Sequence, residues 1–344
     1  MLSRVAERVY WMARYTERAE NIARIINVYT NLLLDLPRNK TIGWHSLVQI
    51  TGNEKQYREL NKDHQERSII KFLLADTRNP DSLLNSLSFA RENARTIRDI
   101  IPREAWEHIN ELYLKTKAEL PTGLARRSRY EFLAFLIGSV QQLTGLLAGT
   151  MTHNSGYHFV RIGRNLERAD MTSRLLDTVT MGTFLDDDQE QISPYDSVLC
   201  MNVLKSLSAY QSYLQQESVT SRSNVQKFVL QDQDFPRAVL YCLHEIQSSV
   251  QKLPRHIPLI RYLNRIIRVV ETTNVAAFNS RQLHKFTDTL QRDIGSFHTV
   301  FSDTYFSVLE LAGSSPSGEK GKKITPRVAH KKKPKLPVLE TMAP

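Results

Sequence analysis

Apolar residues recur every three to four positions along almost all of residues 1–312, with polar residues between them. That spacing marks amphipathic helices. Gly and Pro are sparse and fall between the periodic segments. The pattern predicts a long first helix at about 2–34, closed by Asp35-Leu36-Pro37-Arg38-Asn39-Lys40, then shorter helices near 43–50, 54–61 and 64–75. Asn79-Pro80-Asp81 reads as the start of the next helix, with Asn79 as N-cap and Pro80 at the first helical position, running to about 100. Helices at about 103–119 and 128–152 follow, separated by a turn at Pro121-Thr122-Gly123. Beyond Asn154-Ser155-Gly156 the predicted helices lie at about 157–185, 195–215, 220–231, 236–253, 257–273 and 279–310. No segment alternates with period two between turn signals, so the predicted fold class is all-α.

The chain also repeats itself. Tyr15-Thr16-Glu17-Arg18-Ala19-Glu20-Asn21 recurs 150 residues later as Asn165-Leu166-Glu167-Arg168-Ala169-Asp170-Met171, with Arg14 matched by Arg164. Further matches follow in order: Trp44 to Leu47 with Tyr195 to Val198, Tyr57 with Tyr210, Lys71 to Asp76 with Lys227 to Asp232, and Pro80 with Pro236. Slowly growing offsets are what a duplicated unit with small insertions produces. The expected architecture is therefore a helical bundle of two tandem, pseudo-symmetric repeats, about 1–154 and 155–312.

Charge changes the picture at one end only. The formal net charge is +10, but residues 313–344 hold eight Lys and Arg against Glu319 and Glu340. This tail, rich in Gly, Ser, Pro and Lys, is expected to be disordered. Lys331-Lys332-Lys333 could give weak, salt-sensitive contact with polyanions, without aromatic residues for base stacking. A hydrophobic fraction of 41% supplies a sizeable core. No run of 18 apolar residues predicts a membrane span, and no secretory signal opens the chain, so a cytoplasmic location is expected. Cys200 and Cys242 read as reduced thiols, and neither they nor His153 and His158 have metal-ligand spacing. No metal and no cofactor is expected, and no nucleophile, dinucleotide or phosphate-loop motif occurs.

The candidate chemistry lies on the two repeated helices. Tyr10, Arg14, Glu17, Arg18 and Asn21 share one side of the first; Arg164, Glu167 and Arg168 share the equivalent side of the second. Three readings are open. The first is a solvated, salt-bridged face, with Arg14–Glu17 and Glu20–Arg24 pairs along the helix. The second is a crossing in which Glu17 pairs with Arg168 and Glu167 with Arg18. The third is a cleft where Arg18 and Arg168 hold a carboxylate or phosphate. A second polar cluster is Arg91, Glu92, Asn93 and Arg95, whose counterpart in the second repeat lacks the arginines. Trp11 and Trp106 read as aromatics at the edge of the core.

Glu17-Arg18-Ala19-Glu20-Asn21, Ala90 to Arg95, Trp106 to Asn110, Gly163 to Ala169 and the opening Met1 to Tyr15 together resemble the alpha-E family, an all-helical domain named for its Glu-Arg motif. The resemblance spans about residues 1–310. It implies a non-catalytic helical scaffold or accessory partner of a peptide- or amide-ligation system, with a circularly permuted ATP-grasp ligase and a transglutaminase-like peptidase as protein partners. It carries over Glu17, Arg18, Arg91, Glu92, Asn93, Arg95, Arg164, Glu167 and Arg168 as ligand or interface residues. The alternative is an enzyme or ligand-binding protein using the cleft between the Glu-Arg helices.

Overall fold

A computed structural model describes residues 1–35, 43–61, 63–181, 194–217 and 219–307. The basic tail lies outside the described residues. Among those described, the chain is all-helical, with α1 Ser3–Asp35, α2 His45–Ile50, α3 Glu54–Leu60, α4 Glu66–Leu74, α5 Leu83–Arg95, α6 Arg103–Ala118, α7 Leu120–Leu124 and α8 Arg129–Thr150. There follow α9 Ser155–Met181, α10 Pro194–Ser206, α11 Tyr210–Gln216, α12 Arg222–Gln231, α13 Val239–Val250, α14 Ile257–Thr272, a 3-10 turn at Val275–Ala277 and α15 Ser280–Tyr305.

Helices α1 and α9 form the centre and pack on one another; α1 also packs on α5 and α8, and α9 on α13 and α15. The crossing is close because position 163 has no side chain. A Cβ on Gly163 would lie 2.5 Å from the Tyr10 carbonyl oxygen, well inside van der Waals contact. Val9, Met12, Ala23 and Ile26 of α1 are buried around this crossing with Ile162, Leu166, Ala169 and Leu176 of α9. Asn279 and Gln282 form a reciprocal capping box at the start of α15, which satisfies two otherwise orphaned backbone donors.

The structure corrects several expected boundaries. Asn79 is not a helix N-cap. Its side chain turns inward and donates to the Phe72 carbonyl, and its Oδ1 accepts from the Asp81 backbone. Ser82 caps α5 instead, accepting from the Asn85 N–H. The predicted 195–215 helix is two helices, broken where Ser208 adopts φ 54°. Gly52, at φ 74°, separates α2 from α3 in the same way. Pro121-Thr122-Gly123 lies within the short helix α7 rather than in a turn. Tyr213, not Tyr210, behaves like Tyr57. Both are fully buried, and each hydroxyl donates to a carbonyl six residues on, Asp63 and Val219 respectively. By length and composition α8 is the one described helix able to cross a membrane, where no such span was expected. Its Phe132, Leu133, Leu136, Val140, Leu143 and Leu147 form a helical stripe buried in the core.

Candidate functional site: two ion-pair networks and a cavity at the central crossing

The polar sides of α1 and α9 are not solvated: Glu17 is 1% exposed and Glu167 is 3% exposed. The two acids instead receive arginines from the opposite helix. Arg168 donates to Glu17 from Nε at 2.8 Å and from Nη2 at 2.9 Å. Arg18 donates to Glu167 from Nε at 2.6 Å and from Nη2 at 3.2 Å. Arg14 joins the second pair, with Nε 2.7 Å from Glu167. The local Arg14–Glu17 pair expected along α1 does not form, because Glu17 points across the crossing. Glu20–Arg24 does form, at 2.7 Å.

The two networks differ in access. Around Glu17 the ring is closed by Arg237, which donates to Glu17 at 3.0 Å, to Asn21 at 3.2 Å and to Glu20 at 2.5 Å. Arg168 spends its remaining reach on the Pro236 carbonyl. Burial alone would raise the Glu17 carboxyl, but Arg168 and Arg237 outweigh it and hold its pKa near 2. Burial pushes the neighbouring Cys242 thiol up to about 12. Arg164 is left over. Its Nε is buried without a hydrogen-bond partner, and burial followed by the nearby Arg168 lowers its pKa. Arg237 was absent from the sequence candidates. Its signal was the Pro80–Pro236 match, which places it at the position of Asp81 in the first half.

The Glu167 network opens on a cavity of about 300 Å³. Arg18 reaches Asp81 there with Nη1. Arg174 lies flush against Gly52, whose missing side chain leaves the guanidinium room, and pairs with Asp170 at 2.9 Å. His298 lines the same space and shares a 2.8 Å hydrogen bond with Tyr10. Burial and then Arg14 lower its pKa to about 4, so its imidazole is neutral near pH 7. For Glu167, too, burial would raise the pKa, but Arg18 and Arg14 hold it at about 2. Of the expected cleft residues, Arg14, Arg18 and Glu167 line the cavity. Glu17, Arg164 and Arg168 do not, so the cleft is not symmetric between the two Glu-Arg helices.

The second polar cluster sits apart. Arg91 donates to Asn110 and pairs with Glu92, which also takes Arg95. Asn93 is 5% exposed and accepts from Arg8 at 3.0 Å. Arg98 lies 4.2 Å from the centre of the Trp106 ring. Glu92 and Asn93 line a groove of about 230 Å³ with Arg8, Trp11, Tyr15 and Phe89. Elsewhere, Asp177, His284 and Asp288 place one potential ligand atom each within 4.8 Å of one another. His284 Nδ1 is 2.8 Å from Asp177, and that hydrogen bond raises the imidazole pKa.

The family model described as a predicted alpha-helical domain with a conserved ER motif matches residues 1–306. Uncharacterized protein Mb2597 of Mycobacterium bovis and uncharacterized protein MT2643 of Mycobacterium tuberculosis are each 24% identical, over 73% of this chain. Uncharacterized protein Rv2567 of Mycobacterium tuberculosis is 23% identical over the same share. The chain spans only 30% of the length of these curated relatives. No solved structure matches it.

Proposed function

Since the chain belongs to the Alpha-E family, we propose that it acts as a non-catalytic, cytoplasmic accessory subunit of an ATP-grasp-type ligase in a peptide- or amide-ligation system, with a transglutaminase-like peptidase as a further partner. The observation that carries this reading is the groove on α1 and α5. Phe89 is 39% exposed there and packs on Tyr15 at a ring distance of 5.2 Å, which in turn stacks on Trp11. Arg8 and Glu92 rim it, and Arg95 stands nearby on α5, paired with Glu92. Aromatic anchors with a charged rim are the composition of a protein interface. The curated relatives add support, because in them the matching region is under a third of a longer polypeptide. The sealed Glu17 network favours a structural role for half of the motif. The body is inferred to be two tandem repeats, supported by the shared helix order and by the Tyr57/Tyr213 and Gly52/Ser208 parallels.

The test is affinity co-purification from the native host with wild type and with Phe89→Ala/Arg95→Ala, after a thermal melt shows that the variant folds. Stoichiometric recovery of an ATP-grasp ligase with wild type, reduced in the variant, is expected. Recovery of the bare protein from both would refute the accessory role.

A second reading, ligand binding, is favoured by one observation: the Glu167 network meets an open cavity at Arg18.

A further inference from the structure

The cavity beside the Glu167 network has an uneven set of free hydrogen-bonding capacity. A guanidinium has five N–H donors. Arg18 uses Nε, Nη1 and Nη2 on Glu167 and Asp81, leaving one N–H on each terminal nitrogen. Arg174 uses Nε and Nη2 on Asp170, leaving Nη1 uncommitted. The two guanidinium groups line the same cavity and repel one another. Across the acids the pattern reverses. Glu167 and Asp170 accept at both oxygens, whereas Asp81 accepts only at Oδ1 from Arg18 and keeps Oδ2 for another donor.

The formal charge of the cavity is balanced: Arg14, Arg18 and Arg174 against Glu167, Asp81 and Asp170. His298 is neutral and adds nothing. A simple anion would leave this half-buried group with excess negative charge, and a simple cation with excess positive charge. A ligand with one charge of each sign keeps the balance and uses both kinds of free capacity. The remaining lining includes Ile22, Leu166, Met171 and Ile294, all largely buried apolar side chains. Ligand sites of this kind combine an apolar wall with a few placed polar groups.

We propose that this cavity is a binding site for a small zwitterion, an α-amino acid with an apolar side chain. Its carboxylate sits between Arg18 and Arg174, its ammonium group donates to Asp81 Oδ2, and its side chain lies on Ile22, Leu166 and Met171. Arg18 is the shared element, because it orients Asp81 while offering its own remaining N–H groups. Gly52 belongs to the site through the space it leaves: a Cβ there would lie 2.6 Å from Arg174 Nη1 and displace the guanidinium.

This assignment rests on the ligand-binding reading. The test is isothermal titration calorimetry on the full chain with leucine, methionine and phenylalanine tested singly. The controls are leucinamide, which lacks the carboxylate, 4-methylpentanoate, which lacks the ammonium group, and inorganic phosphate. At least one amino acid is expected to bind, and to bind more than tenfold tighter than any control. Asp81→Asn and Arg174→Gln should each weaken that binding about tenfold or more, the loss of one charge-assisted contact. If 4-methylpentanoate or phosphate binds as tightly as the amino acids, the zwitterion assignment fails while ligand binding by the cavity stands. If no compound binds, both fail. If either variant does not fold, the control compounds on wild type still decide between these outcomes.

Discussion

Replacing Glu17 with glutamine removes one charge while keeping the side chain's shape, and the structure sets what that should cost. Glu17 takes Nε and Nη2 of Arg168 and Nη1 of Arg237, with no solvent to take its place. In the variant the amide nitrogen would face N–H donors, and both arginines would keep their charge in a buried setting where Arg164 already has an unpartnered Nε. Breaking one side of a buried ion pair costs about 3–5 kcal/mol. A second route gives a similar figure. The Glu17 pKa lies at about 2 against an ordinary 4.5. At about 1.4 kcal/mol per unit, that difference corresponds to roughly 3 kcal/mol. For a body of this size the melting temperature should fall by roughly 5–8 °C. The assay is thermal unfolding near neutral pH, followed by circular dichroism. A double-mutant cycle with Arg168→Met adds a check, since the double variant should lose less than the sum of the singles. If Glu17→Gln unfolds within about 1 kcal/mol of wild type, or the cycle is additive, the Glu17 network does not hold the crossing together.

Acid should unfold the protein through the same residues. Glu17 and Glu167 have folded pKa values near 2 against 4.5, so their contribution is complete above pH 4.5 and is lost as pH falls toward 2. Urea midpoints measured across that window should drop steadily, and a flat profile would contradict the assignment. Cys242 is buried with its thiol pushed up to about 12, and Cys200 is buried too. A thiol reagent should therefore label the native protein only at the rate of unfolding, and immediate stoichiometric labelling would show that the core is open. Tyr57→Phe and Tyr213→Phe each leave a carbonyl without its hydroxyl donor. Each should cost about 0.5–1.5 kcal/mol, by similar amounts, in chemical denaturation. Loss at one position only would break the parallel between them.

Helix content and most boundaries were legible because apolar spacing and Gly/Pro punctuation are local. The cross pairing of Glu17 with Arg168 and Glu167 with Arg18 was legible as one of three readings, because each helix carries an acid beside an arginine. The sequence could not decide among the three, since that depends on whether the faces meet. Arg237 was missed although the Pro80–Pro236 register points at it, because the residue in register with it, Asp81, has the opposite charge and so gives no sequence match. At that position one half has Asp81 and the other has Arg237. The break at Ser208 had no glycine to mark it. Asn79 carried a plausible helix-start signal that a tertiary hydrogen bond to Phe72 overrode. Of the cavity, only Arg14, Arg18 and Glu167 were legible, as members of the expected cleft. Its lining comes from α1, the α2–α3 turn, Asp81 before α5, α9 and α15, and Arg174 and Asp170 look like an ordinary i,i+4 pair until Gly52 is set against them.

Gly163 carries no charge, donates nothing from a side chain and lines neither the cavity at Arg18 nor the groove at Phe89. Yet any side chain there must push α9 away from the Tyr10 carbonyl. The ion pairs on both sides of the crossing span the gap between the same two helices, so they would lengthen together. A screen for lost binding or lost stability would therefore score Gly163 alongside Arg18 and Arg168. The spacing between the helices behaves as an inherited gauge, set by an absent methyl group and read out in the reach of arginine side chains. Any redesign of the charges at this crossing has to begin with the glycine.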